Sequence, residues 1–183
     1  MATVTFKGGD ALMARLKEIA DKAGDGGTLR VGFLENAKYP ESGTPVAYVA
    51  AIQEFGSPEK GIPPRSFFRT MISEKKKEWP RALGALAKNN DYDIDKALGQ
   101  MGDGIKGQLQ ESIREVDGPA LSPVTLLLRE RFGNHPQEIS FADVQQARHD
   151  IAAGVEPNVT GTQAKPLVWT GHLLNSVDFE VDT

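Results

Sequence analysis

The chain has 183 residues, 39% of them hydrophobic and 25% charged, and no cysteine. That length suits one domain able to bury a real core unaided, and the missing cysteine excludes disulfides and thiolate metal sites. Formal net charge is −4, spread as −2 over residues 1–59, +5 over 60–81 and −7 over 82–183, an acidic total that disfavours a dedicated DNA-binding domain.

Residues 3–7 alternate weakly through Val4 and Phe6 and predict a short strand, broken by Gly8 and Gly9. Asp10 is the expected N-cap of a helix to about Ala23, with Leu12, Leu16, Ile19 and Ala23 on one apolar face. Gly24-Asp25-Gly26-Gly27 ends it as a turn. Leu29, Val31 and Phe33 alternate with Arg30 and Gly32, the clearest early strand pattern. After a loop over 36–44, Thr44 as cap and Pro45 at the first helical position predict a helix of about 45–55, carrying Val46, Val49, Ala50 and Phe55. Residues 57–66 hold three prolines and one glycine and are expected to be a stiff loop without regular structure.

A helix of about 67–88 should kink or split at Pro80. The next, about 93–116, has the strongest periodicity: Ile94, Leu98, Met101, Ile105, Leu109, Ser112 or Ile113, and Val116. It also contains Gly99, Gly102, Gly104 and Gly107, which cost about 1 kcal/mol each against alanine and ask for compensation, by very close packing or by a bent helix. Ser122-Pro123 opens a short helix to about Phe132, closed by Gly133, and Ser140 caps another over about 141–153. That second helix bears Phe141, Val144, Ala147 and Ile151. Residues 155–164 read as a mobile loop. A short turn or helix near 170–175 leads into a strand at 176–181, where Val177, Phe179 and Val181 alternate with polar residues. The expected fold is α+β, a small antiparallel sheet packed against one or two long helices. Residues 1–183 are expected to form a single structural domain with an insertion at about 130–164.

A reacting centre is not apparent. His135, His149 and His172 lie in separate segments without metal-ligand spacing. There is no G-x-S-x-G elbow and no phosphate-binding glycine loop. Asp91, Asp93 and Asp95 resemble the start of a calcium loop but lack its glycine and distal glutamate. They read better as acids at a helix start. No enzyme, no cofactor and no metal are expected. The longest apolar runs are a few residues and the first ten have no signal-peptide character, so the expectation is no membrane span and a cytoplasmic origin. Lys75, Lys76 and Lys77 within the basic 60–81 segment could touch phosphates, as a nucleic-acid-binding module would, or form a solvated face.

Two segments are specific: Ala47–Arg69, AYVAAIQEFGSPEKGIPPRSFFR, and Lys165–Val181, KPLVWTGHLLNSVDFEV, with Leu121–Arg129, LSPVTLLLR, between them. The first resembles neck and tail-completion proteins of long-tailed, lambda-like bacteriophages. The second resembles the same group and the virion-morphogenesis proteins of Mu-like phages. Relatives typically carry Ile-Pro-Pro-Arg-Pro-Phe, whereas this chain has Ser66 at the last proline. The resemblance implies a structural virion protein of the neck, acting in tail completion and head–tail joining as a homo-oligomeric ring. Its implied partners are the head connector or head-closure protein and the tail terminator or tail-tube protein, close to packaged DNA, after assembly in the host cytoplasm. The tail terminator ring itself is the nearest alternative.

The stiff loop fits such a role, because a proline-rigid contact loses little entropy on docking. The expected interface is Ile62, Pro63, Pro64, Arg65, Phe67, Phe68, Lys165, Pro166 and Trp169. In it Arg65 would grip a neighbour's carboxylate bidentately, and one of Phe67 and Phe68 would face a partner while the other serves the core. The alternative is a tight connector with both rings in the core and Trp169 as a core anchor.

Overall fold

The structure, a computed structural model, describes residues 9–24 and 26–182. The strand expected over residues 3–7 lies outside them. In chain order the elements are helix α1 (Gly9–Ala23), strand β1 (Thr28–Phe33), helices α2 (Val46–Phe55), α3 (Phe68–Lys75), α4 (Trp79–Asn89), α5 (Ile94–Glu115), α6 (Pro123–Phe132), α7 (Phe141–Ala152) and α8 (His172–Asn175), and strand β2 (Val177–Asp182). The fold is α+β: β1 and β2 pair antiparallel and lie against α5, the longest helix.

Sheet register explains the alternation of both strands. Leu29 faces Val181, Val31 faces Phe179 and Phe33 faces Val177, and opposed residues of an antiparallel pair share one side of the sheet. This side meets α5. On the other side Arg30 pairs with Glu180 and Asp182.

Helix α5 starts on Asp93, whose carboxylate accepts from the Lys96 N–H at 3.0 Å, as an acid at a helix start should. Ala97, Leu98, Met101, Leu109 and Ile113 are buried along its stripe. Of its four glycines, close packing explains one. A Cβ on Gly102 would overlap the Phe179 ring, whereas Gly99, Gly104 and Gly107 have nothing within 4 Å of that position. The glycine lets the β2 ring rest on the helix backbone.

Pro80 splits its helix as expected. The chain turns after Lys75, and Pro80 sits in the first turn of α4, where its missing N–H removes no helical bond. Ser122 caps α6 by accepting from the Thr125 N–H, and Ser140 and Asp143 form a reciprocal capping box on α7, which packs against α6. Around this frame the main core gathers Val46, Phe67, Met71, Leu109, Ile113, Leu167, Leu173 and Val177.

Four local expectations need correction. Pro45 is itself the N-cap of α2 and Thr44 does not cap it; the Thr44 hydroxyl accepts from Ser42. Asp10 lies inside the first turn of α1, and the apolar face of that helix is not buried: Leu12, Met13 and Leu16 are exposed. Residues 57–66 contain ordered structure, a 3-10 turn at Pro58–Lys60 closed by a Ser57–Ile62 bridge. The 155–164 loop is tied at two points, by the Asn158 N–H donating to Glu130 and by a 3-10 turn at Gly161–Gln163.

The glycine contrast is testable. Gly102→Ala should destabilise the fold by about 1–3 kcal/mol, since the Phe179 ring must move. Gly104→Ala, into open space on the same helix, should stabilise it by about 0.5–1 kcal/mol. Urea denaturation of both variants checks the opposite signs.

Candidate interaction surface

The stiff corner begins at Gly56, with φ of 77°, where a Cβ would lie 2.8 Å from both the Ile62 carbonyl oxygen and the Pro64 nitrogen. Only glycine lets the loop double back this tightly. Ser57 and Ile62 exchange backbone hydrogen bonds at 2.8 and 3.0 Å, and the Arg65 N–H donates to the Gln53 carbonyl at 2.7 Å. The corner is thereby bound to the end of α2.

Glu54 organises the entry into α3. This α2 residue turns inward and is 4% exposed. Its carboxylate accepts from the backbone N–H groups of Phe67 and Phe68, both at 2.9 Å, and of Arg69 at 3.2 Å. It also accepts from the Ser66 hydroxyl and from Arg69 Nε at 2.7 Å. A side chain from another helix thus satisfies the free N–H groups at the start of α3 and places negative charge at the positive end of its dipole. Burial pushes the carboxyl pKa upward, but the bonds from Arg69, Phe68 and Ser66 outweigh it, and the net shift is downward.

Arg65, expected to reach a neighbour's carboxylate, is used within the subunit. Its Nε and Nη2 donate to the Pro119 carbonyl at 3.1 and 3.0 Å, and Nη1 donates to Gln53 Oε1 at 3.1 Å. Phe67 is fully buried, edge-on to Phe33, and Phe68 packs half-buried against the core. Neither ring projects freely. Of the loop, Ile62 and Pro63 are half-buried and Pro64 is exposed.

The second motif is likewise internal. Lys165 donates to the Arg114 carbonyl at 2.7 Å and pairs with Asp117 at 3.3 Å. Pro166 is buried with Leu167 and Val168, and Leu173 and Val177 join the core. Trp169 is half-buried; its indole N–H donates to the Gly133 carbonyl, and the Arg129 guanidinium lies 4.9 Å from its ring. It anchors the tail to the end of α6.

The open apolar surface lies elsewhere, on α2. Tyr48 and Phe55 are 55% and 64% exposed, and Phe55 borders a groove of about 330 Å³ walled by Val31, Phe33, Ala47, Ala51 and Phe68. Arg69 lies over the Phe55 ring at 4.8 Å. Phe55, one of the four apolar residues noted on this helix, points outward, and Glu54 holds the inward place. The sequence signal for this exchange is weak, a lone glutamate four residues after Ala50 on a helix whose only other polar side chain, apart from the Tyr48 hydroxyl, is Gln53. Nothing in the sequence pattern marks Arg129 as buried.

The cationic segment is also altered by folding, because Arg65 is buried and Arg69 is engaged by Glu54. Lys76 and Lys77 remain exposed. Among the described residues no cluster of three metal-ligating side chains occurs, and no helix is long and apolar enough to cross a membrane. No protein-family model matches the chain, and no curated protein or solved structure matches it.

Glu54 gives a signed pH prediction. Its folded pKa is depressed, so its stabilisation is complete above the ordinary glutamate range near pH ~4 and fades as pH falls through the folded value. Glu54→Gln should cost about 1–3 kcal/mol at pH 7 by leaving buried donors poorly paired. The gap between variant and parent in urea melts should narrow at pH 3.

Proposed function

We propose that this chain is a structural subunit of a bacteriophage neck, working with copies of itself in a ring that completes the tail and joins it to the head. The observation that carries the reading is the pair of uncovered apolar faces: Tyr48 and Phe55 along α2, and Leu12, Met13 and Leu16 along α1. Clustered large apolar side chains on a surface mark interaction sites. Two different faces on one chain suit a head-to-tail contact between copies, and such contacts close into rings when the rotation permits.

The motif resemblance supports the same role. The Ile62–Phe68 corner and the Lys165–Val177 tail act as rigid internal braces, which is what a subunit carrying load between head and tail requires. Ile62, Pro63 and Pro64 stand at the rim of that brace. The partners are the head connector or head-closure protein on one side and the tail terminator or tail-tube protein on the other. No cofactor or catalysis enters this role.

Sedimentation velocity across a range of concentrations, alone and with tail-tube protein, tests the reading. A ring, or a complex formed only with the partner, is expected. Phe55→Asp should abolish association while leaving the circular dichroism of the fold unchanged, since the ring is solvent-facing. A parent chain that stays monomeric and binds neither neighbour would refute the role.

A further inference from the structure

A cavity of about 320 Å³ lies between α2, the end of α6 and the Lys165–Leu173 tail, lined by Tyr39, Gln53, Arg129, Leu167, Trp169 and His172 among others, none of them acidic. Arg129 is 5% exposed and forms no ion pair among the described residues. Its partners are three backbone carbonyls, Gln163 at 2.8 Å and Lys165 at 2.6 Å from Nη1, and Pro166 at 3.1 Å from Nη2. A guanidinium has five N–H donors, so two lack an acceptor. One is Nε, which is shielded from solvent with no hydrogen-bond partner.

A buried cation is costly unless it is paired. Here a second one, Arg65, stands near enough to add its repulsion. Burial and Arg65 together bring the Arg129 pKa down to about 10. Gln53 is oriented by Arg65: its Oε1 accepts from Nη1, which leaves the amide N–H groups as donors beside the same cavity. Val49, Leu167, Leu173 and the Trp169 ring supply apolar wall, and Tyr39, Thr170 and His172 add polar groups without negative charge.

We propose that this cavity binds a carboxylate on a short apolar stem, received by the Arg129 guanidinium and the amide of Gln53 that line it. The planar two-oxygen group matches the two remaining guanidinium donors. A cavity of about 320 Å³ is at the small end of ligand pockets and holds a small acid or one acidic side chain. Two sources share this chemistry, a free small carboxylic acid and an aspartate or glutamate of a neighbouring protein chain. The carboxylate site does not depend on the neck reading; only the second source does.

Titration of the ¹⁵N-labelled full chain with sodium propionate tests the site. Saturable shifts are expected for the Arg129 Nε–H and Trp169 indole N–H signals, while propionamide, the uncharged isostere, leaves both unmoved. The Trp79 indole, bonded to Gln108 at 2.9 Å, serves as a folding control. Val49→Phe fills the cavity from the α2 side and should weaken propionate binding at least about tenfold. Thr170→Trp, at the exposed rim, is the second blocking variant should Val49→Phe disturb the Trp79 signal. Propionate that disperses assembled subunits in sedimentation identifies a neighbour's acidic side chain as the occupant. Propionate that binds without altering sedimentation identifies a free acid. Absent shifts, equal shifts with propionamide or sodium chloride, or tighter binding of inorganic phosphate would each overturn the carboxylate site and leave the neck reading standing.

Discussion

A single buried carboxylate sets the geometry from α2 to α3. Glu54 receives three backbone N–H groups, a hydroxyl and a guanidinium, which fixes where α3 begins and how the chain leaves the Gly56 turn. Phe67 enters the core from that fixed point, and the Ser112 hydroxyl on α5 then donates to the Phe67 carbonyl at 2.7 Å. The position of the long helix relative to the corner depends on one charge and its donors. Such a group is stabilising only while its shell is complete, because an unpaired buried charge costs several kilocalories.

The same device recurs with the opposite sign. Arg65 ties the corner to Pro119, and Arg129 ties α6 to the three carbonyls of residues 163, 165 and 166. Both arginines bind carbonyl dipoles where carboxylates would be the common choice. Loops that have no regular partner for their backbone oxygens thus gain one from an arginine side chain. Arg65 comes from the Ala47–Arg69 segment and the Arg129 carbonyl partners at 165 and 166 from the Lys165–Val181 segment, so residue choices in both answer first to the subunit's own architecture.

Much of the fold was legible in the sequence. Strands β1 and β2 appeared through strict alternation, α5 through its stripe, α6 and α7 through Ser122 and Ser140, and the α3–α4 break through Pro80. Periodicity reveals which residues share a face but not what that face meets. Hence Leu12 and Leu16 share one apolar helix face and yet lie in solvent. Helix α2 shows the limit most clearly: apolar residues occupy nearly every position, so its inward face was set by the hydrogen-bond demand of α3. Glu54, Arg65 and Arg129 were illegible as buried groups because most of their partners are backbone atoms, which leave no mark in sequence. The exposed Tyr48–Phe55 surface arose from the same inversion.

The β1–β2 ladder joins positions as far apart as Arg30 and Glu180, 150 residues along the chain. Local pairs such as α6 with α7 can form early, but this ladder must wait for a large closure entropy to be overcome. Until then the stripe of α5 that the sheet will cover stays wet, and two strand edges stand unpaired. Those transient edges are templates for pairing between molecules. The closure of this small ladder is therefore the step at which productive folding competes with aggregation.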